Sequence, residues 1–120
     1  MQMKEVRAIV RPNRVVRLRE ALRAIPNFPG VTLWSAEGFT APAAMYKRTV
    51  RDELTDFSPK TLVCVLCEAS MVEAIREAIF KTCTTGMLGD GLVWVVDIES
   101  THRIRDRTPL NMPPHDDGKG

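Results

Sequence analysis

Apolar residues recur along this chain at a spacing of two, then of three and four, then of two again, and the cycle runs twice. Residues 3–11 alternate in part and then turn apolar, which predicts a half-buried strand closed by Pro12. Val15, Val16, Leu18, Leu22 and Ile25 then form a helical stripe, with Asn13 as the expected N-cap and Arg14, Arg17, Arg19 and Arg23 on the solvated face. A Pro- and Gly-bearing break at residues 26–30 ends that helix, and residues 31–39 return to an extended pattern. The pattern fades over residues 40–59, an unusually long connection for so short a chain and of the kind that usually carries function. Residues 60–67 predict a third strand, and Ser70 is the expected cap of a second helix whose stripe is Val72, Ile75, Ala78, Ile79 and Cys83. Residues 92–98 are so continuously apolar that a central strand is expected there. The proline- and glycine-bearing residues 109–120 are expected to be a disordered tail, which leaves residues 1–108 as the domain.

Strand, helix, strand, long loop, strand, helix, strand is an α+β order. It predicts a ferredoxin-like βαββαβ sandwich, a four-stranded antiparallel sheet with two helices on one face. The other face is then uncovered. With Trp34 and Trp94 among its candidates, an apolar outer face favours a homo-oligomer.

Composition changes this picture little. A chain of 120 residues with 44% hydrophobic content suits one domain with a modest core. No apolar run approaches the roughly 18 to 20 residues that cross a bilayer, and the first residues lack the apolar core of a signal peptide. The expectation is a cytoplasmic protein without membrane insertion. A net charge of +2 gives no argument for nucleic acid as a partner. Cys64 and Cys67 form a Cys-x-x-Cys, but within a strand side chains three apart point to opposite faces, so no metal site is expected; with Cys83 they read as packed, reduced thiols. No nucleophile, base and orienter set is evident, so no catalytic residue is assigned and the chain reads as a non-enzyme.

The stretch of residues 84–91, Thr-Thr-Gly-Met-Leu-Gly-Asp-Gly, holds three glycines within six residues. Such a turn lets backbone N–H groups converge on an anion without obstruction by side chains. From the residues alone an ordinary helix-to-strand turn is the stronger reading, with Asp90 as a turn residue rather than a general base.

Five islands in order resemble the PII signal-transduction family, nitrogen regulatory protein P-II. They are Lys4-Glu-Val-Arg-Ala-Ile-Val-Arg-Pro12, Glu37-Gly38-Phe39, Asp56-Phe57-Ser58-Pro59-Lys60, the glycine turn with the strand after it, and Arg103-Ile104-Arg105. The resemblance implies a cytoplasmic homotrimer that binds adenine nucleotide between subunits, with the phosphates held by the glycine turn, called the B-loop, and by basic residues. Carried over by position, the ligand-binding residues are Ile9, Gly38, Phe39, Thr85, Gly86, Met87, Leu88, Gly89, Asp90, Gly91, Arg103 and Arg105. Met87 and Leu92 stand where the family usually has cations. Two fewer cations disfavour the most charged ligand, so AMP or ADP is expected ahead of magnesium-ATP.

The long loop, residues 40–59, corresponds to the family's T-loop and departs further. Thr40-Ala41-Pro42-Ala43-Ala44 follows Gly38-Phe39 where the family carries a glutamine that helps hold magnesium and 2-oxoglutarate, although Lys60 remains. The family's modified segment is matched only at Tyr46-Lys47, and Glu53 aligns with the modified tyrosine, so uridylylation is not expected. Tyr46, Lys47, Arg48, Arg51 and Glu53 are the expected contacts to a protein target, for which a membrane transporter is the resemblance's suggestion. Two alternatives stand beside this reading. One is an interaction trimer whose ligand site has decayed; the other is a metal-linked sensor using Cys64, Cys67, Cys83, His102 or His115, whose spacing fits no standard site.

Overall fold

The computed structural model describes residues 2–38 and 58–112. Within them lie β1 (Met3–Val10), α1 (Val15–Arg23), β2 (Thr32–Gly38), β3 (Ser58–Glu68), α2 (Val72–Cys83) and β4 (Leu92–Asp97). The strands form one sheet in the order β2-β3-β1-β4, and every neighbouring pair is antiparallel. This is the expected ferredoxin-like sandwich. Strand β1 is hydrogen-bonded on both edges, to β3 from Met3–Glu68 to Val10–Thr61 and to β4 from Lys4–Asp97 to Ile9–Leu92.

Alternation along the strands assigns the faces. Val6, Ala8 and Val10 of β1, with Val63, Val65 and Cys67 of β3, meet Leu18 and Leu22 of α1 and Ile75, Ile79 and Cys83 of α2 in one core. The helical stripes explain why these segments coil. Leu18 and Leu22 are one turn apart, and Val72, Ile75, Ile79 and Cys83 keep the same spacing along α2.

Several local expectations are corrected. Val16 is 66% exposed and lies off the buried stripe, because the helix presents Leu18 and Leu22 to the sheet. Neither Asn13 nor Ser70 caps a helix. Each stands inside a short 3₁₀ turn, Pro12–Arg14 and Ala69–Met71, that leads into the helix without any side-chain cap. Strand β4 is an edge strand rather than a central one. Its run is apolar on both faces because Val93 and Val95 pack on the core, while Leu92 and Trp94 share the uncovered face with Ile9 and Arg7 of β1. Residues 109–112 are not free of structure: Pro109 forms a bridge with His102, and Leu110 N donates to Thr101 O at 3.0 Å.

Trp34 and Trp94 do share the uncovered face, since Trp34 stands opposite Leu62, Leu62 opposite Ile9, and Trp94 opposite Arg7. At its centre Glu5 is buried to 7% exposure, held by Arg7 Nε and by Cys64 Sγ, which donates to Glu5 Oε2 at 2.7 Å. Burial first, and then the Glu5 carboxylate, pushes the Cys64 thiol up to about 11, so it stays protonated at neutral pH. Cys67 faces the opposite way, into the core, as strand alternation requires. No helix among the described residues is long and apolar enough to cross a membrane.

The corrected stripe is directly testable. Ile75 is fully buried, so Ile75→Ala is expected to lower unfolding free energy by about 2–5 kcal/mol in a urea titration. Val16→Ala on the exposed side of α1 is expected to change it by less than about 0.5 kcal/mol; equal costs would put Val16 back in the core.

Candidate functional site

Helix α2 ends at Cys83, and the chain must then reverse to enter β4 at Leu92. Three glycines make the reversal, with positive φ at Gly86 (82°), Gly89 (95°) and Gly91 (100°). Gly91 has a second constraint. A Cβ there would lie 1.7 Å from the carbonyl oxygen of Ile9, so the turn can close on β1 only if this residue has no side chain.

Asp90 ties the turn together. Its carboxylate accepts the backbone N–H groups of Thr85 (2.8 Å) and Gly86 (2.9 Å) and the Thr85 hydroxyl, and Arg11 Nε approaches it at 3.3 Å. The Thr85 hydroxyl foremost, with the two backbone N–H groups and Arg11, outweighs partial burial and holds the carboxyl at about 2. This supports the turn-residue role read from the sequence. A carboxylate committed to four donors is a poor proton acceptor.

Two cations brace the turn from the sheet. Arg11 follows the last residue of β1 and Lys60 lies in β3, one position beyond the Val10–Thr61 pair, so both project from the same end of the uncovered face. Arg11 Nη2 donates to Leu88 O at 2.6 Å and Lys60 Nζ to Gly89 O at 3.0 Å. Lys60 is only 8% exposed. The ideal Cβ position of Gly89 lies 3.2 Å from Arg11 Nη2 and 3.6 Å from Lys60 Nζ, so both cations meet at one point beneath the turn. Leu88 N–H and Gly89 N–H have no acceptor among the described residues. Unpaired backbone donors and two cations, Lys60 buried and Arg11 partly exposed, therefore meet at the turn.

The residues expected at the site divide into three groups. Ile9 and Thr85 to Gly91 are together: a cavity of about 140 Å³ between β1, α2 and the turn is lined by Ile9, Cys83, Asp90, Gly91 and Leu92. Met87 and Leu92, each 71% exposed, flank the turn with apolar side chains. Gly38 ends β2 opposite Ser58, and a Cβ there would make only ordinary contact with Lys60. Arg103 and Arg105 are elsewhere, on a hairpin over residues 101–112 that adjoins Gln2 and Met3 at the start of β1. The turn adjoins the other end of that eight-residue strand, about 23 Å away at the usual strand rise. Phe39, Tyr46, Lys47, Arg48, Arg51 and Glu53 lie outside the described residues.

Arg11 went unassigned in the sequence reading. It is 79 positions from Asp90, and no local spacing relates a strand end to a distant turn. Among the described residues no group of His, Cys, Asp or Glu gathers as a metal site requires.

A ferredoxin-like sheet with a long connection after β2 and a glycine turn braced against β1 defines a class of small α+β domain. The family model for nitrogen regulatory protein P-II matches residues 3–108, and the chain belongs to that family of signal-transduction regulators. It is 34% identical over 106 residues to nitrogen regulatory protein P-II of Azospirillum brasilense, covering 86% of this chain and 92% of that one. Against its counterpart in Rhizobium meliloti the identity is 33% over the same coverage. The crystal structure of Arabidopsis thaliana PII bound to citrate superposes with a TM-score of 0.71 at 26% identity, covering 89% of this chain and 84% of that one.

Two measurements follow from the knot. Asp90 has a folded value of about 2 against an ordinary 3.8, so its stabilisation is complete above about pH 4 and fades as pH falls through 2. With its partial exposure discounted, Asp90→Asn is expected to cost about 1–2 kcal/mol at neutral pH and to flatten the loss of stability between about pH 4 and 2. Gly91→Ala is expected to cost more than about 3 kcal/mol or to prevent folding, read by thermal melting; a melting point within a few degrees of the parent would refute the close approach.

Proposed function

We propose that this chain is a non-enzymatic PII-type regulator that binds a small anionic effector, AMP or ADP ahead of magnesium-ATP, in a cleft between the subunits of a homotrimer. Filling of the cleft governs how the loop of residues 40–59 engages a protein target, for which a membrane transporter is the candidate. The observation that carries the reading is the glycine turn itself, with unoccupied backbone donors over Arg11 and Lys60. The solved relative bound to citrate, a small polyanion, supports an anionic ligand for this architecture.

Charge supports the smaller ligand. Arg11 and Lys60 already donate to the turn's own carbonyls, Arg11 is also paired with Asp90, and Met87 and Leu92 add no charge. Separation supports the trimer, since Arg105 can approach a glycine turn only if that turn belongs to another copy. Exposed Trp34 and Leu92 on the uncovered sheet face supply an apolar surface for such an assembly. A second reading, an interaction trimer with a decayed ligand site, draws on the exposed Met87, Leu88 and Leu92 around the turn.

Titration calorimetry with AMP, ADP, magnesium-ATP, 2-oxoglutarate and bicarbonate separates the two. Saturable heat with AMP or ADP, at a lower Kd than magnesium-ATP, is expected of the regulator. Silence with all five ligands leaves the decayed-site trimer. For the loop, a chain shortened between Pro42 and Thr55 is expected to keep trimer mass and nucleotide affinity while losing retention of its membrane-protein target.

A further inference from the structure

Helix α1 carries two arginines that its own fold leaves unused. Arg19 and Arg23 stand one turn apart on the exposed side of the helix, and neither makes a hydrogen bond or ion pair among the described residues. Glu20 beside them is exposed and pairs with neither. Like charges at that spacing repel, so the helix bears a cost that an anion between them would remove. Both arginines stand on the rim of a groove of about 380 Å³ between α1 and the start of β2. Its floor is apolar: Leu22 from α1, Phe28 and Val31 from the turn that follows, and Leu33 from β2. Leu22 is 1% exposed, while Phe28, Val31 and Leu33 pack against the core and keep part of their surface outside it. Gly30 leaves one wall low, because its φ of 132° favours glycine and a Cβ there would meet nothing within 4 Å. The groove is on the helix face of the sheet. Trp34, next to Leu33, points the other way, so this groove is separate from the uncovered face toward which Arg11 and Lys60 project.

We propose that the groove binds a small anionic amphiphile, a carboxylate with a short hydrocarbon chain, its head between Arg19 and Arg23 and its chain on Leu22, Phe28, Val31 and Leu33. Charge complementarity selects the head. A guanidinium fork matches the two oxygens of a carboxylate, and neither fork is engaged elsewhere among the described residues. The partly exposed floor selects the tail, since covering it takes apolar surface out of water and breaks no polar contact. Size selects a small molecule over a protein. The groove falls near the lower end of the roughly 300–1,000 Å³ range of small-ligand sites. Seven described residues line it, against the roughly 20–30 that each side of a standard protein interface supplies.

Titration of the full-length chain with butyrate, hexanoate and octanoate, followed by backbone amide shifts in nitrogen–proton NMR spectra, tests the site. Acetate and octanol are the controls, one a head without a tail and the other a tail without a charge. Octanoate is expected to shift the amides of Leu22, Phe28, Val31 and Leu33 saturably, with Kd falling about two- to fourfold for each methylene from butyrate upward. Acetate is expected to shift none of them, and octanol to bind at least about tenfold more weakly than octanoate. Arg19→Gln combined with Arg23→Gln, both at exposed positions, is expected to keep the parent melting temperature and to reduce octanoate to the affinity of octanol. Octanoate shifts that do not saturate, that centre on Trp34 and Trp94 of the uncovered face, or that persist in the double variant would overturn the proposal. Movement of the same amides with protein concentration alone would put a second copy in the groove. Tighter binding of an acidic, leucine-bearing peptide than of octanoate would put a segment of another protein there, and either result overturns the small-ligand site.

Discussion

The contact on which the site depends is the meeting of Gly91 with the carbonyl of Ile9. It brings the end of α2, the glycine turn and the last residue of β1 within reach of one another, and it leaves no room for a side chain. Once that approach is made, Asp90 falls beside Arg11, and the carbonyls of Leu88 and Gly89 fall over Arg11 and Lys60. A residue with a Cβ at position 91 would displace the turn and, with it, every polar contact that shapes the cradle. The turn is thus held by a steric constraint first and by hydrogen bonds second.

Position in the sheet gives this contact its meaning. Because β1 is paired on both edges, its two ends are fixed relative to each other, with the glycine turn at one and the C-terminal hairpin at the other. A single subunit therefore separates its backbone cradle from its exposed arginine. That separation follows from strand length, and the uncovered sheet face with Trp34 and Trp94 supplies the surface on which copies could be brought together. Glu5 in the middle of this face is already satisfied by Arg7 and Cys64, so covering the face would strand no unpaired carboxylate.

Charge at the site is mostly internal. Asp90 is neutralised by Arg11 and by turn donors, Lys60 is tied to Gly89 O, and Arg103 to its own hairpin. Cations that hold a loop in shape have less to give a ligand than cations held out to solvent. On this ground, and with the apolar Met87 and Leu92 beside the turn, the ligand proposed for it is a small anion rather than a heavily charged one.

Residue periodicity alone determined the order of strands and helices, the core stripes and the opposite facing of Cys64 and Cys67, because each is a property of neighbours a few positions apart. The glycine spacing of the turn was legible for the same reason, and five short islands carried the family. The bracing of the turn by Arg11 and Lys60, the edge position of β4 and the turning of Arg103 into its hairpin were not legible. The first two depend on pairings between segments far apart in sequence, and the last on which acceptors a fork-shaped side chain meets once the chain has reversed. Val16, Asn13 and Ser70 misled at close range, since an apolar residue or a capping side chain acts only if the helix begins and faces where local pattern places it. In this chain a 3₁₀ turn before each helix, and the side that each helix presents to the sheet, decided otherwise.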